Sequence, residues 1–304
     1  MTVTDKQQAS PLQIAAAAAT MVTGTLRPRR PDQRFLASIA DKGLPGGTQT
    51  VRVRRLRQNA RQAPAFGIIE GARRHAPVSL ALTSFVVEHP QATFIVDPAL
   101  CVNAGGRVLN ELPPILRRLV EPPPDVVPTR VALGDTHLDF ALATHAHWDH
   151  VCGLLDLGDL PLVLHTPEQE WALAGEVAPA GGVRTALRRE LRGFDLDGPP
   201  VSTFTSSHDL FGDGAVVLVD LAGHTPGSVG VLLRAARSHV LIAGDAAWHH
   251  EQVELIRQKP GIPGRFVDVD REEAFKVLHR LHLARRLVQV VPTHDHEAAA
   301  HACP

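Results

Sequence analysis

The run His145-Ala146-His147-Trp148-Asp149-His150 places three imidazoles and a carboxylate within six residues, directly after an apolar segment at residues 140–144. Neutral imidazole and carboxylate oxygen are the usual protein ligands for a borderline divalent ion such as zinc. Side chains alternate along an extended chain, so His145, His147 and Asp149 would share one face if strand geometry continued, and His150 would break the alternation. The run then offers ligands in two directions. Two imidazoles would face one ion, and a carboxylate with a third imidazole would face a neighbour, as a pair of ions requires.

Two ions need more ligands than one run supplies, and further candidates stand after other apolar segments. His224 lies in Ala222-Gly223-His224-Thr225-Pro226-Gly227-Ser228, Asp245 in Gly244-Asp245, and His294 in Pro292-Thr293-His294-Asp295. Each follows a segment that reads as a strand (215–221, 239–243 and 287–291), at the end where α/β sheets commonly hold their sites. Taken singly, any of the three would be an ordinary turn former or cap. As a set they converge on one place.

The elements that must position them are short β-branched runs at 80–87, 93–96, 140–144, 160–164 and 228–233, together with the three above. Glu88-His89-Pro90-Gln91 reads as a hairpin turn, and residues 51–57 alternate apolar and arginine side chains as an edge strand would. Helical patterns fall at 167–176, 183–192 and 270–286. The last has Asp270 as a cap, Glu272 and Glu273 in its first turn, Phe275, Leu278 and Leu281 on one face, and Arg285-Arg286 at its negative end. Strands alternating with helices imply a layered α/β architecture. Residues 1–50 combine an alanine-rich helix candidate at 14–22, the stretch Arg27-Pro28-Arg29-Arg30-Pro31 and a Gly/Pro-rich turn at 43–47, and read as a partly helical N-terminal arm. The catalytic domain is expected to span 51–304.

The chain has 304 residues, 44% of them hydrophobic, enough for a sizeable core. Lys+Arg 31 against Asp+Glu 32 leaves a net charge of -1, so no global field would draw it to nucleic acid or to an anionic membrane. A small-molecule substrate is the expected partner. Cys101, Cys152 and Cys303 are too few and scattered for a disulfide framework, which points to a reducing compartment, the cytoplasm.

With these residues in this order, the sequence resembles the metallo-β-lactamase superfamily over roughly residues 79–296. The resemblance implies an α/β fold, a four-layer αββα sandwich with two divalent metal ions, most often zinc, at one edge between two sheets. It implies that His145, His147 and His224 hold the first ion, that Asp149, His150 and His294 hold the second, and that Asp245 bridges them. Asp97 matches an aspartate that supports the site from behind. A divalent ion lowers the pKa of its water from about 15.7 to about 7, roughly 12 kcal/mol of help. Hydroxide would then attack the carbonyl of an ester, lactone or related small acyl compound, with Asp149 taking up the proton.

Several departures bear on substrate. Asp97-Pro98-Ala99 stands where Asp-Thr-Gly is common, and Cys152 where glycine is common, either as a ligand or as a small buried side chain. Trp148, Trp248 and His249 would line a substrate pocket or else pack at the loop base, and His296 competes with His294 as ligand. Lactone-opening members often use a tyrosine near the metals, and this chain has none. It also ends ten residues after His294, without the helical extension by which glyoxalase II members bind glutathione. The alternatives are an iron-dependent oxidoreductase of the persulfide dioxygenase type, a β-lactam hydrolase, and a catalytically silent scaffold.

Overall fold

The structure, a computed structural model, describes residues 24–74 and 76–304. The alanine-rich helix expected at 14–22 lies outside them. In chain order the strands are β1 (Arg52–Arg55), β2 (Arg61–Ala63), β3 (Val78–Leu80), β4 (Phe85–His89), β5 (Ala92–Val96), β6 (Phe140–Leu142), β7 (Leu162–His165), β8 (Leu191–Phe194), β9 (Ser207–Asp209), β10 (Val216–Asp220), β11 (Val229–Arg234), β12 (His239–Ile242) and β13 (Gln289–Val291). Six form one sheet in the order β1-β4-β5-β6-β7-β8, five form a second in the order β13-β12-β11-β10-β9, and β2 pairs with β3 alone.

Alternation along these strands explains the layering, because successive side chains point to opposite faces. Phe85, Val87, Phe94, Val96 and Leu142 of the first sheet meet Val216, Leu218, Val231, Leu233 and Ile242 of the second in one buried cluster. Their neighbours in sequence face outward. Val86, Ile95, Ala141 and Leu164 pack against Val151, Leu154, Val183 and Ala186. Val217, Val219, Leu221 and Leu241 pack against Phe275, Leu278 and Leu281 of the helix Arg271–Ala284, for which Asp270 accepts from the backbone N–H groups of Glu272 and Glu273. The result is the expected four layers, helix on sheet on sheet on helix.

β5, β6, β7 and β8 run parallel, as do β12 and β13, so several strands deliver their C-terminal ends to one edge of the sandwich. There the two sheets are fastened directly. Val229 N–H of β11 donates to Thr144 O, beyond β6, at 2.9 Å, while within the second sheet Thr293 N–H donates to Gly244 O at 3.2 Å.

Two elements differ from expectation: the run at 80–87 is not one strand, since β3 ends at Leu80 and β4 begins at Phe85. The helical pattern at 183–192 resolves into a helix at Ala180–Ala186 followed by β8. The Arg189 guanidinium donates to the carbonyls of Ala186, Leu160 and Leu154, which anchors the chain beside the sheet, and the next residues pair with β7. Pairing with a distant strand outweighs a local period of marginal strength.

Strand β1 lies at the sheet edge, with Arg52 paired to Glu88 and Arg54 bonded to Thr136. The described part of the arm runs over the outer helix, where Arg29 pairs with Glu272 and Asp32 N–H donates to His279 Nε2 at 2.8 Å. Among the described residues no helix is long and apolar enough to cross a membrane.

Candidate active site

The loops after β5, β6, β10, β12 and β13 meet at the shared edge. After β6 the chain bends at Thr144 and His145, is extended at His147 and then turns into the short helix Trp148–Val151, so Asp149 and His150 leave the line of the strand and point elsewhere. This is how one hexapeptide serves two pockets. His145, His147 and His224 gather in the first, and Asp149, His150 and His294 in the second, with ligand atoms within 4.8 Å of one another. Asp245 sits between them. Its Oδ1 is 3.2 Å from His150 Nε2 and 3.1 Å from His294 Nε2, and its Oδ2 is 3.5 Å from His224 Nε2.

The tautomers follow from the outer nitrogens. Asp268 Oδ1 accepts from His224 Nδ1 at 2.9 Å, Asp97 Oδ2 from His150 Nδ1 at 2.9 Å, and the Ala81 carbonyl from His294 Nδ1 at 3.0 Å. Thr144 Oγ1 donates to Asp97 Oδ2, so at 3.2 Å it accepts from His145 Nδ1. Each outer nitrogen therefore carries a proton, and in the neutral ring each Nε2 turns its lone pair inward. In the first pocket His147 Nδ1 stands 3.0 Å from His145 Nε2 and 2.9 Å from His224 Nε2. Burial holds the imidazoles of His145 and His147 well below the usual histidine range and lowers His224 as well. The inward lone pairs of His145 and His224 both face His147 Nδ1, which can donate to at most one of them, whereas a cation would satisfy all three nitrogens together.

The second pocket has the same appetite by another route. Burial alone would lower His150, yet the Asp97 and Asp245 carboxylates raise it well above the ordinary value, and Asp245 raises His294 against burial in the same way. Asp245, buried, is in turn held well below the carboxylate range by His294 and His150. His150 Nε2 and Asp245 Oδ1 are buried without a well-formed hydrogen bond. A cation placed between them would satisfy both atoms. The donor set, imidazoles with carboxylates, fits a pair of divalent ions.

The model of the metallo-beta-lactamase superfamily matches residues 80–297. The chain belongs to the metallo-beta-lactamase superfamily. It is a metal-dependent hydrolase of that superfamily. It is 26% identical over 243 residues to the N-acyl homoserine lactonase AttM of Azorhizobium caulinodans, a match covering 73% of this chain and 85% of the relative. Among solved structures it is similar to a mutant of AiiA from B. thuringiensis with N-decanoyl-L-homoserine bound at the active site, at 18% identity and a TM-score of 0.54, covering 83% of this chain and 96% of that one. It is also similar to AidC, a dizinc quorum-quenching lactonase, at 12% identity and a TM-score of 0.51, covering 83% and 92%.

Within the superfamily fold, this chain's support for the pockets comes partly from residues with no motif to announce them. Asp97 is fully buried at a left-handed φ of 52°, a conformation that costs an aspartate on the order of 1 kcal/mol or more. The strain is repaid by position. Its carboxylate accepts from Thr144 N, Thr144 Oγ1, His150 Nδ1 and Thr293 Oγ1, and so links the loops of His145, His150 and His294. Asp268 and Lys259 were invisible to the sequence reading. Lys259 Nζ donates to Asp268 Oδ1 at 2.7 Å and to Asp245 O at 2.7 Å, with both side chains 3% exposed.

The remaining candidates divide. Trp248 Nε1 donates to Asp245 Oδ2 at 2.6 Å, and its half-buried ring lies edge-on to His294. Trp171, not anticipated, stands edge-on to His147 at 5.7 Å between ring centres. Trp148 belongs to the buried cluster between the first sheet and its helices. His249 Nδ1 accepts from Glu251 N–H and caps the helix His250–Leu255. Cys152 Sγ is buried, donates to Ala99 O and falls in none of the metal-suited groupings among the described residues, and neither does His296.

Proposed function

We propose that the chain is a dinuclear zinc hydrolase that opens lactones, with N-acyl homoserine lactones as the first class to test. One observation carries the reading: each histidine whose outer nitrogen is fixed by an acceptor turns its inner nitrogen into one of two pockets, and the pockets share Asp245. The names of AttM, AiiA and AidC's class favour a lactone over other acyl substrates.

Bound in the two pockets, the ions would supply Lewis acidity toward the carbonyl oxygen and lower the pKa of water to about 7. The chain's own residues do the rest. Asp149, whose side chain is 20% exposed against 10% for His294 and 0% for His150, is the most open member of the second pocket. Its Oδ2 would receive the proton of the attacking water and return it to the leaving alkoxide. Trp171 and Trp248 flank the two pockets and would exclude water from an acyl chain. The chain has no tyrosine, and the Trp248 indole N–H donates to Asp245, the carboxylate shared by the two pockets. Near-neutral charge and buried free thiols support a cytoplasmic location.

The test is metal counting with turnover on the full chain. Two zincs per chain and hydrolysis of N-acyl homoserine lactones are expected. His147→Ala should empty the first pocket and lower kcat/KM by on the order of 10³-fold, the several kcal/mol that one Lewis acid contributes. A zinc-free protein whose ester and lactone hydrolysis is unchanged by His147→Ala would sink the reading, and one iron per chain with oxygen uptake would replace it with an oxidoreductase.

A further inference from the structure

Glu168 sits on the helix Thr166–Ala174, completely buried, and belongs to neither pocket. A buried carboxylate needs partners, and this one has three. Oε1 accepts from Ala146 N–H at 2.8 Å, while Oε2 accepts from Gly227 N–H at 2.9 Å and from Thr225 Oγ1 at 2.7 Å. The partners are not scattered. Ala146 lies between His145 and His147, and Thr225 directly follows His224, so a single carboxylate spans the two loops that supply all three imidazoles of the first pocket.

The packing around it leaves no slack. A Cβ at Gly227 would come within 2.4 Å of Glu168 N, so the His224 loop lies flat on the start of the helix and only glycine permits the approach. Thr225 Oγ1 is also 2.6 Å from Ser228 Oγ, which fixes the hydroxyl that donates to Glu168. Burial pushes the Glu168 carboxyl up, against the donors that favour its charged form. The second pocket has a different tie, Asp97, which holds His150 directly and the His294 loop through Thr293, and reaches the first pocket only through Thr144.

We propose that Glu168 is a positioning residue for the first pocket, holding the His145–His147 loop and the His224 loop at the separation one metal ion requires, so that it sets the affinity of this pocket separately from the second. This rests on reading the two pockets as metal sites. A carboxylate that merely stabilised the fold would affect both pockets alike.

The experiment measures zinc affinity in the full chain with one pocket disabled at a time. His294→Ala leaves the first pocket to be read, and His147→Ala leaves the second. Glu168→Gln keeps the shape of the side chain but offers one acceptor oxygen and turns an NH₂ toward groups that themselves donate. In the His294→Ala background it should weaken zinc binding by about 10- to 100-fold, the usual effect of losing an outer partner of a metal site. In the His147→Ala background the change should stay below about twofold. Equal changes in the two backgrounds, or none in the first, overturn the proposal and leave Glu168 a stabilising residue. If the unmodified chain itself fails to bind zinc, the metal-site reading falls first. Should Glu168→Gln not fold, Thr225→Val removes one of the three donors and is expected to shift the first pocket alone, by about three- to tenfold, and equal shifts in both pockets would again refute it.

Discussion

Asp245→Asn is expected to empty the second pocket, to weaken the first by removing the charge they share, and to reduce hydrolysis by more than His147→Ala, at least on the order of 10³-fold. The side chain is the only one that faces both sets of imidazoles at hydrogen-bonding range among the described residues, Oδ1 toward His150 and His294 and Oδ2 toward His224. Asparagine preserves its outline and removes two things. The negative charge that raises His150 and His294 disappears, and with it the electrostatic reason for a cation to enter the second pocket. One of the two oxygens becomes an NH₂, which presents hydrogens to whichever pocket it faces. Trp248 Nε1, at 2.6 Å from Oδ2, selects the rotamer that keeps an oxygen on its side, so the NH₂ faces His150 and His294. Zinc content by mass spectrometry, beside turnover, checks this. A variant that keeps two zincs would show that Asp245 does not bridge.

The ligand run was legible because its information is local. A strand ends at Leu142, and two residues later the run 145–150 carries four donors in fixed order. His224, Asp245 and His294 were legible for a related reason, since each opens a loop after an apolar strand. What the extended-chain reading could not supply was the turn at Trp148 into a helix, which is what separates Asp149 and His150 from His145 and His147. Of the supporting residues only Asp97 is legible, through its match to the superfamily, and Asp268, Lys259 and Glu168 are not. Asp268 lies 44 positions from His224, and Glu168 lies 22 and 57 positions from its two sets of partners, on a helix where an acidic residue in the first turn looks like ordinary dipole compensation. Trp148 shows the converse. Its place in the hexapeptide suggested a pocket wall, but the short helix turns its ring into the layer beneath the first sheet. Contacts made through tertiary packing leave no periodic trace in the chain that makes them.

Lys259→Met should be the most destabilising of the substitutions considered, by about 3–5 kcal/mol, because it leaves a buried carboxylate without its close counter-charge, only Arg271 remaining at 3.8 Å. Burial would raise the Asp268 carboxyl, but Lys259 and the His224 imidazole lower it to about 2, so the group is charged throughout the physiological range. Methionine fills the volume of the lysine stem and returns none of its bonds to Asp268 or to Asp245 O. The pH dependence separates this account from simple misfit. A carboxylate depressed from 3.8 to about 2 contributes stability that is fully present above 3.8 and is lost as pH falls through about 2. In the variant the carboxyl rises, takes up its proton at higher pH and is then neutral and harmless. The difference in stability between the two proteins should therefore be widest near pH 7 and shrink as the solution is acidified toward pH 4. Urea unfolding of both proteins at the two pH values, with chelator present so that metal binding does not add to either, gives the comparison. Adding Asp268→Asn to Lys259→Met should recover part of the loss, since the amide oxygen still accepts from His224 Nδ1 without a charge to bury. A difference that stays constant with pH, or a double variant no better than the single, would mean that packing and not the ion pair holds this side of the first pocket.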